Sequence, residues 1–69
     1  MNTVRAKRLE KKMSKRDIVK SAAGILSDHR LRMIEAGTGR PPYFDEKAAI
    51  SHALNVPVNI LFPENGLVS

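Results

Sequence analysis

The chain has 69 residues, no cysteine and two histidines, and its twelve Lys and Arg against seven Asp and Glu give a formal net charge of +5. A domain of this size buries only about 60% of the surface its unfolded chain exposes, and without cysteine it has no disulfide or thiolate metal site to staple it, so a small all-helical core is the simplest solution. No apolar run approaches the roughly 18 residues of a membrane span and the N-terminus lacks the apolar stretch of a signal peptide, so no membrane association and a cytoplasmic location are expected. Two histidines, His29 and His52, are too few for a histidine zinc cage, and no cofactor or metal is expected.

Charge is distributed unevenly. Residues 1–40 hold eleven Lys and Arg against four Asp and Glu, a net +7; residues 41–69 hold one Lys against three acids, a net −2. A basic half on a mildly acidic half points to one face built for a polyanion.

In chain order, residues 3–12 predict a first helix, with Ala6, Leu9 and Met13 at helical spacing and Val4 nearby. Lys7, Lys11 and Lys12 read as solvated surface as readily as specific ligands. Arg8 sits beside Leu9, close to the apolar stripe, where it can point inward at a partner. Ser14 followed three residues later by Asp17 is a helix start signal in which each residue satisfies the other's backbone N–H. The second helix is expected over 15–23, burying Ile18, Val19, Ala22 and Ala23. Gly24 ends it, and Ile25 and Leu26 read as a buried plug between helices.

The third helix, over 27–35, organises the rest. Ser27 is a good N-cap, Asp28 suits the positive end of the helix dipole and Gly37 fits the left-handed position after the last turn. A helix of about three turns is not stable alone, so Leu31 and Ile34 must anchor it. Its other face offers His29, Arg30, Arg32 and Met33 outward. A short helix held by two aliphatic anchors with basic groups outside suits the major groove of DNA. The loop that follows, Gly37-Thr38-Gly39-Arg40-Pro41-Pro42, is either a plain connector or a phosphate grip. A fourth helix is expected over 43–54, with Asp45 and Glu46 at its start, Phe44, Lys47, Ala48, Ile50, Ala53 and Leu54 at helical spacings, and Asn55 closing it. Pro57 suits the first position of a fifth short helix, buried through Val58, Leu61 and Phe62 and stopped by Pro63. Residues 1–63 form the expected domain and 64–69 a tail, in which Leu67 and Val68 are oddly apolar.

This order of elements resembles the Cro/C1 type of helix-turn-helix domain. The resemblance is carried by Met13-Ser14-Lys15-Arg16-Asp17-Ile18, by Ser27 to Gly37 with its Ile34-Glu35-Ala36-Gly37 ending and Pro41 beyond, and by Ala53-Leu54-Asn55-Val56 with Leu61. The chain departs from the family in a longer interval between Val19 and Glu35, in Lys15 where Gln is common, and in Pro57 at the start of the last helix. The resemblance implies a compact five-helix, lambda-repressor-like all-α fold. It also implies a structural ion pair between Arg8 and Glu35.

The expected function is a sequence-specific regulator of transcription that binds double-stranded DNA, a repressor of the kind encoded by phages and plasmids. Ser27, Asp28, His29, Arg30 and Arg32 are the candidates for reading base edges. Asp28 either accepts from cytosine N4 or orients Arg32 four residues on. Lys15, Arg16, Thr38, Gly39 and Arg40 are the candidates for phosphate contacts, which set register rather than sequence. A single short helix reads few base pairs, so a homodimer on a pseudo-palindromic operator is expected, with half-sites about 34 Å apart. Leu61, Phe62, Leu67 and Val68 are the candidate dimer contact. Two alternatives stay open: an antitoxin-like DNA binder that holds a protein partner at its C-terminal end, and a non-specific nucleic-acid binder. An enzyme is not expected, because Ser27 and His29 face different directions and no third residue completes a site.

Overall fold

The computed structural model describes residues 3–62. Among them are five helices and no strand: α1 (Thr3–Glu10), α2 (Lys15–Ser21), α3 (Asp28–Ala36), α4 (Phe44–Leu54) and α5 (Val58–Leu61). The fold is all-α, with α2 and α3 forming a helix-turn-helix.

Local chemistry sets most of the boundaries. Ser14 Oγ accepts from the Asp17 N–H at 3.1 Å, and the Asp17 carboxylate accepts from the Ser14 N–H at 2.9 Å. The Ser14 N–H, then its hydroxyl, hold the Asp17 carboxyl below its ordinary range. Ser27 Oγ caps α3 through the Arg30 N–H at 3.0 Å. Three helices end in the same paired pattern of hydrogen bonds around one left-handed residue. Lys12, Gly37 and Asn55 are those residues, with φ of 57°, 74° and 57°. At α1, the Lys12 and Met13 N–H groups reach the Leu9 and Arg8 carbonyls; at α3, Gly37 and Thr38 reach Ile34 and Met33; at α4, Asn55 and Val56 reach His52 and Ser51. The left-handed turn at Lys12 stops α1 two residues short of the expected 3–12.

The core draws on every element. Val4 of α1, Ile18 of α2, Leu31 and Ile34 of α3, Ala49, Ile50 and Leu54 of α4, and Leu61 of α5 are buried, together with Ala22, Leu26, Val56 and Phe62 between or after helices. Each fully buried aliphatic side chain contributes roughly 1.5–3 kcal/mol relative to exposure. The helix α2 lies against α3 and α4, and α1 lies against α4 and α5, so α3 is held from behind along the stripe made by Leu31 and Ile34.

Several expectations change. Leu9 is half-exposed and Ala6 exposed, because α1 turns Val4 and Arg8, four residues apart and so on one face, into the molecule instead. The helix α2 stops at Ser21 with Ala22 as its C-cap. Ala23 and Gly24 then take φ of 52° and 90°, so the residues after Ala22 go into the turn and α2 stops short of the expected 15–23. Ala23 and Ile25 consequently point outward, and of the expected plug only Leu26 is buried. Phe44, at the first turn of α4, is 83% exposed. The expected dimer contact is corrected for two of its residues: Leu61 and Phe62 are buried against the chain's own α1 and α4 side of the core and are not available to a second copy. Leu67 and Val68 lie outside the described residues.

No helix among the described residues is long and apolar enough to cross a membrane.

Candidate nucleic-acid interface

The helix α3 is divided lengthwise. Leu31, Ile34 and Glu35 are buried. Asp28, His29, Arg32 and Ala36 are exposed and Met33 is half-buried. Asp28, Arg32 and Ala36 follow at intervals of four, which stacks them along one outward line. Arg32 Nη2 donates to Asp28 Oδ2 at 2.8 Å, with both side chains more than half exposed. An arginine carries five N–H donors in a rigid fork, so this bond orients the fork without exhausting it. Asp28 therefore has the orienting role in the free protein. Ser27 is exposed at the head of α3, with its hydroxyl engaged as the cap.

Glu35 faces the other way. Arg8 Nε donates to Glu35 Oε2 at 2.8 Å and Arg8 Nη2 to Oε1 at 3.1 Å, while Arg8 Nη1 donates to the Met13 carbonyl at 3.0 Å. Arg8 and Glu35 are both buried. The pair ties α1, the turn before α2 and the last turn of α3 to one another, which fixes how far α3 stands out from the body.

Arg30 belongs to the scaffold and not to the outward face. Its Nε donates to Glu46 Oε2 at 3.0 Å, and its Nη2 to Glu46 Oε1 at 3.2 Å and to the Arg40 and Pro41 carbonyls at 3.1 and 3.3 Å. Only 12% of its side chain is exposed, so the expectation that it reads bases is replaced by a role in holding α3 to α4 and the intervening loop. Arg40 joins the same carboxylate, donating from Nη1 to Oε1 at 2.9 Å and from Nη2 to Oε2 at 3.1 Å, and its guanidinium lies 3.6 Å above the Tyr43 ring centroid. The Tyr43 N–H adds a third donor group to Glu46 at 2.7 Å. Arg40's bonds, with help from Arg30 and the Tyr43 N–H, outweigh the cost of burial and hold the Glu46 carboxyl down to about 2. In sequence Glu46 is placed only at the start of the fourth helix, with no partner assigned. The available signal was its position three residues after the N-cap, where a Glu reaches back to the cap N–H.

The loop candidates divide similarly. The Thr38 N–H is spent on the Met33 carbonyl at 3.1 Å. Gly39 has φ +77°, a left-handed backbone that favours glycine, and a Cβ there would meet only the movable methyl end of Met33. Arg40 is 42% exposed at its side chain while bound to Glu46. Lys15 is half-buried and Arg16 exposed at the start of α2. Asp28, His29, Arg32, Lys15 and Arg16 are thus expected contact residues whose side chains stay at the surface on α3 and at the start of α2.

Comparison with family models, with curated proteins and with solved structures finds no match. Among the described residues no group of His, Cys, Asp and Glu is arranged to hold a metal ion.

Proposed function

We propose that this protein is a sequence-specific double-stranded DNA-binding regulator that lays α3 in the major groove and represses transcription by occupying its operator. The observation that carries this reading is the lengthwise division of α3. Two aliphatic anchors and a buried ion pair hold one side, and Asp28, His29 and Arg32 stand exposed on the other. The concentration of positive charge in residues 1–40 and the resemblance to Cro/C1-type domains support it.

In this reading Arg32 is the principal base reader, taking guanine O6 and N7 through its fork, a contact worth about 1–3 kcal/mol of discrimination. Asp28 sets the direction of that fork, and His29 offers a second polar group one position along. Lys15 and Arg16 hold phosphates and so set register and affinity. The protein binds as a two-fold dimer on a pseudo-palindrome, as a cytoplasmic repressor of the phage or plasmid kind, with the contact between copies made by surfaces other than the buried Leu61 and Phe62.

Selection from a pool of random duplexes at about 150 mM salt, near physiological ionic strength, followed by sequencing, tests the proposal. A two-fold symmetric motif is the expected result. Binding without any enriched motif, vanishing as salt rises, would replace it with non-specific nucleic-acid binding.

A further inference from the structure

Beside the outward face of α3 lies an open cleft of about 180 Å³, lined by Arg5, Lys15, Arg32, Glu35 and Ala36. Its three cations come from three different helices: Arg5 from α1, Lys15 from the first position of α2 and Arg32 from the middle of α3. The carboxylate in its wall, Glu35, is bonded by buried Arg8, and Arg32 is paired with Asp28; with Arg5 and Lys15 also lining the cleft, the cations around it still outnumber these two carboxylates. Cations gathered at one concavity repel one another, and a cleft focuses their field on an anion that enters it. Ala36, with its single methyl group, leaves the cleft open at the last turn of α3.

We propose that this cleft seats one phosphate of the DNA backbone, with Arg5 of α1 as a phosphate ligand alongside Lys15, and Arg32 at its rim with its fork left for the base edges. The inference rests on the DNA-binding reading and deepens it. The cleft adjoins the line of Asp28, Arg32 and Ala36, so a strand whose phosphate sits there flanks the groove that α3 enters. Arg32 then stands between the base edges and the backbone. Arg5 brings α1 into the interface beside α2 and α3.

The test uses the full chain and a fluorescein-labelled duplex of random sequence, with affinity measured by anisotropy from about 50 to 200 mM salt. Arg5→Gln and Lys15→Gln are compared with Lys20→Gln, an exposed cation that does not line the cleft. Circular dichroism melts check that all three fold. Arg5→Gln is expected to weaken binding to every duplex alike and to reduce the slope of log affinity against log salt by about one, with Lys20→Gln leaving the slope unchanged. Duplex binding with an unaltered slope in Arg5→Gln would overturn the assignment.

A second arm separates the cleft from the DNA reading. Inorganic phosphate is titrated into the isotopically labelled protein and followed by amide shifts. Saturable shifts centred on Arg5, Lys15 and Ala36 together with duplex binding support the proposal. The same shifts without any duplex binding keep an anion seat but overturn its assignment to DNA. Shifts that are absent from the cleft while the duplex binds with an unaltered Arg5→Gln slope reject the seat altogether.

Discussion

Arg8 and Glu35, 27 residues apart, meet inside the protein through two hydrogen bonds of 2.8 and 3.1 Å, and both are buried. The arrangement is bidentate, which suits the planar guanidinium fork. Removing one partner leaves the other charge buried and unmatched, at a cost of about 3–5 kcal/mol. In a domain this small that is a large share of the total. Arg8→Ala and Glu35→Ala are each expected to unfold the protein partly or wholly at 25 °C, whereas replacing both with apolar residues of similar volume should recover most of the loss. Urea denaturation of the two singles and the double decides it, and additive losses would show that the two residues do not act as a pair.

The two arginines on α3 should separate by phenotype. Arg32 sits in an exposed i, i+4 pair, of a kind worth only about 0.3–0.5 kcal/mol. Arg32→Ala should therefore melt close to the wild type and, under the proposed DNA-binding function, lose about 1–3 kcal/mol of discrimination between duplex sequences. Arg30→Ala removes hydrogen bonds to buried Glu46 and to two loop carbonyls. It should cost roughly 1.5–3 kcal/mol in stability. A parallel series of melts and duplex titrations checks both, and an Arg30→Ala variant of full stability would return Arg30 to the outward face.

Glu46 makes stability depend on acid. Its carboxyl titrates ordinarily near 4.5 and is held down to about 2 in the folded chain, first by Arg40 and then, against the cost of burial, by Arg30 and the Tyr43 N–H. A folded value below the unfolded one means that ionised Glu46 stabilises the fold fully above about pH 4.5, and that this stabilisation is lost as pH falls towards 2. Glu46→Gln mimics the protonated acid. The stability gap between wild type and Glu46→Gln should be wide at pH 7 and should close between about pH 4.5 and 2. Equal gaps at pH 7 and pH 2, measured by urea unfolding, would show that the carboxylate charge contributes nothing there.

The turn before α3 carries a correctable strain. Ala23 has φ +52°, a left-handed conformation that costs a residue with a Cβ about 1–2 kcal/mol. Ala23→Gly relieves it and gives back about 0.4–1 kcal/mol through the freer unfolded chain. The net effect should be a higher urea midpoint at unchanged denaturant dependence, because Ala23 is exposed and its methyl group takes little surface from water. A lower midpoint would mean that the turn needs the Ala23 methyl group.

What the sequence alone determined is what depends on neighbours in the chain. Ser14 with Asp17, Ser27 at the head of α3, and Gly37 and Asn55 as left-handed stops were legible because each makes its hydrogen bonds within five positions of itself. The anchors Leu31, Ile34, Ile50 and Leu54 were legible because helical spacing puts an apolar stripe on one side. The tertiary structure decided everything that needs a partner from far along the chain. The Arg8–Glu35 pairing came from the family resemblance, and spacing alone would have turned Leu9 inward in the place that Arg8 and Val4 take. Arg30 and Arg32 look alike in sequence, two residues apart on a basic helix. One turns in because a carboxylate sixteen residues later, Glu46, comes to rest beneath it, and the other stays out. Leu61 and Phe62 carried two readings in sequence, burial of α5 and contact with a second copy, and the packing of α1 and α4 against α5 decides for burial. The reason is common to these cases: hydrogen bonding in helix caps is local, whereas burial and ion pairing are set by which distant groups the packed core brings within reach.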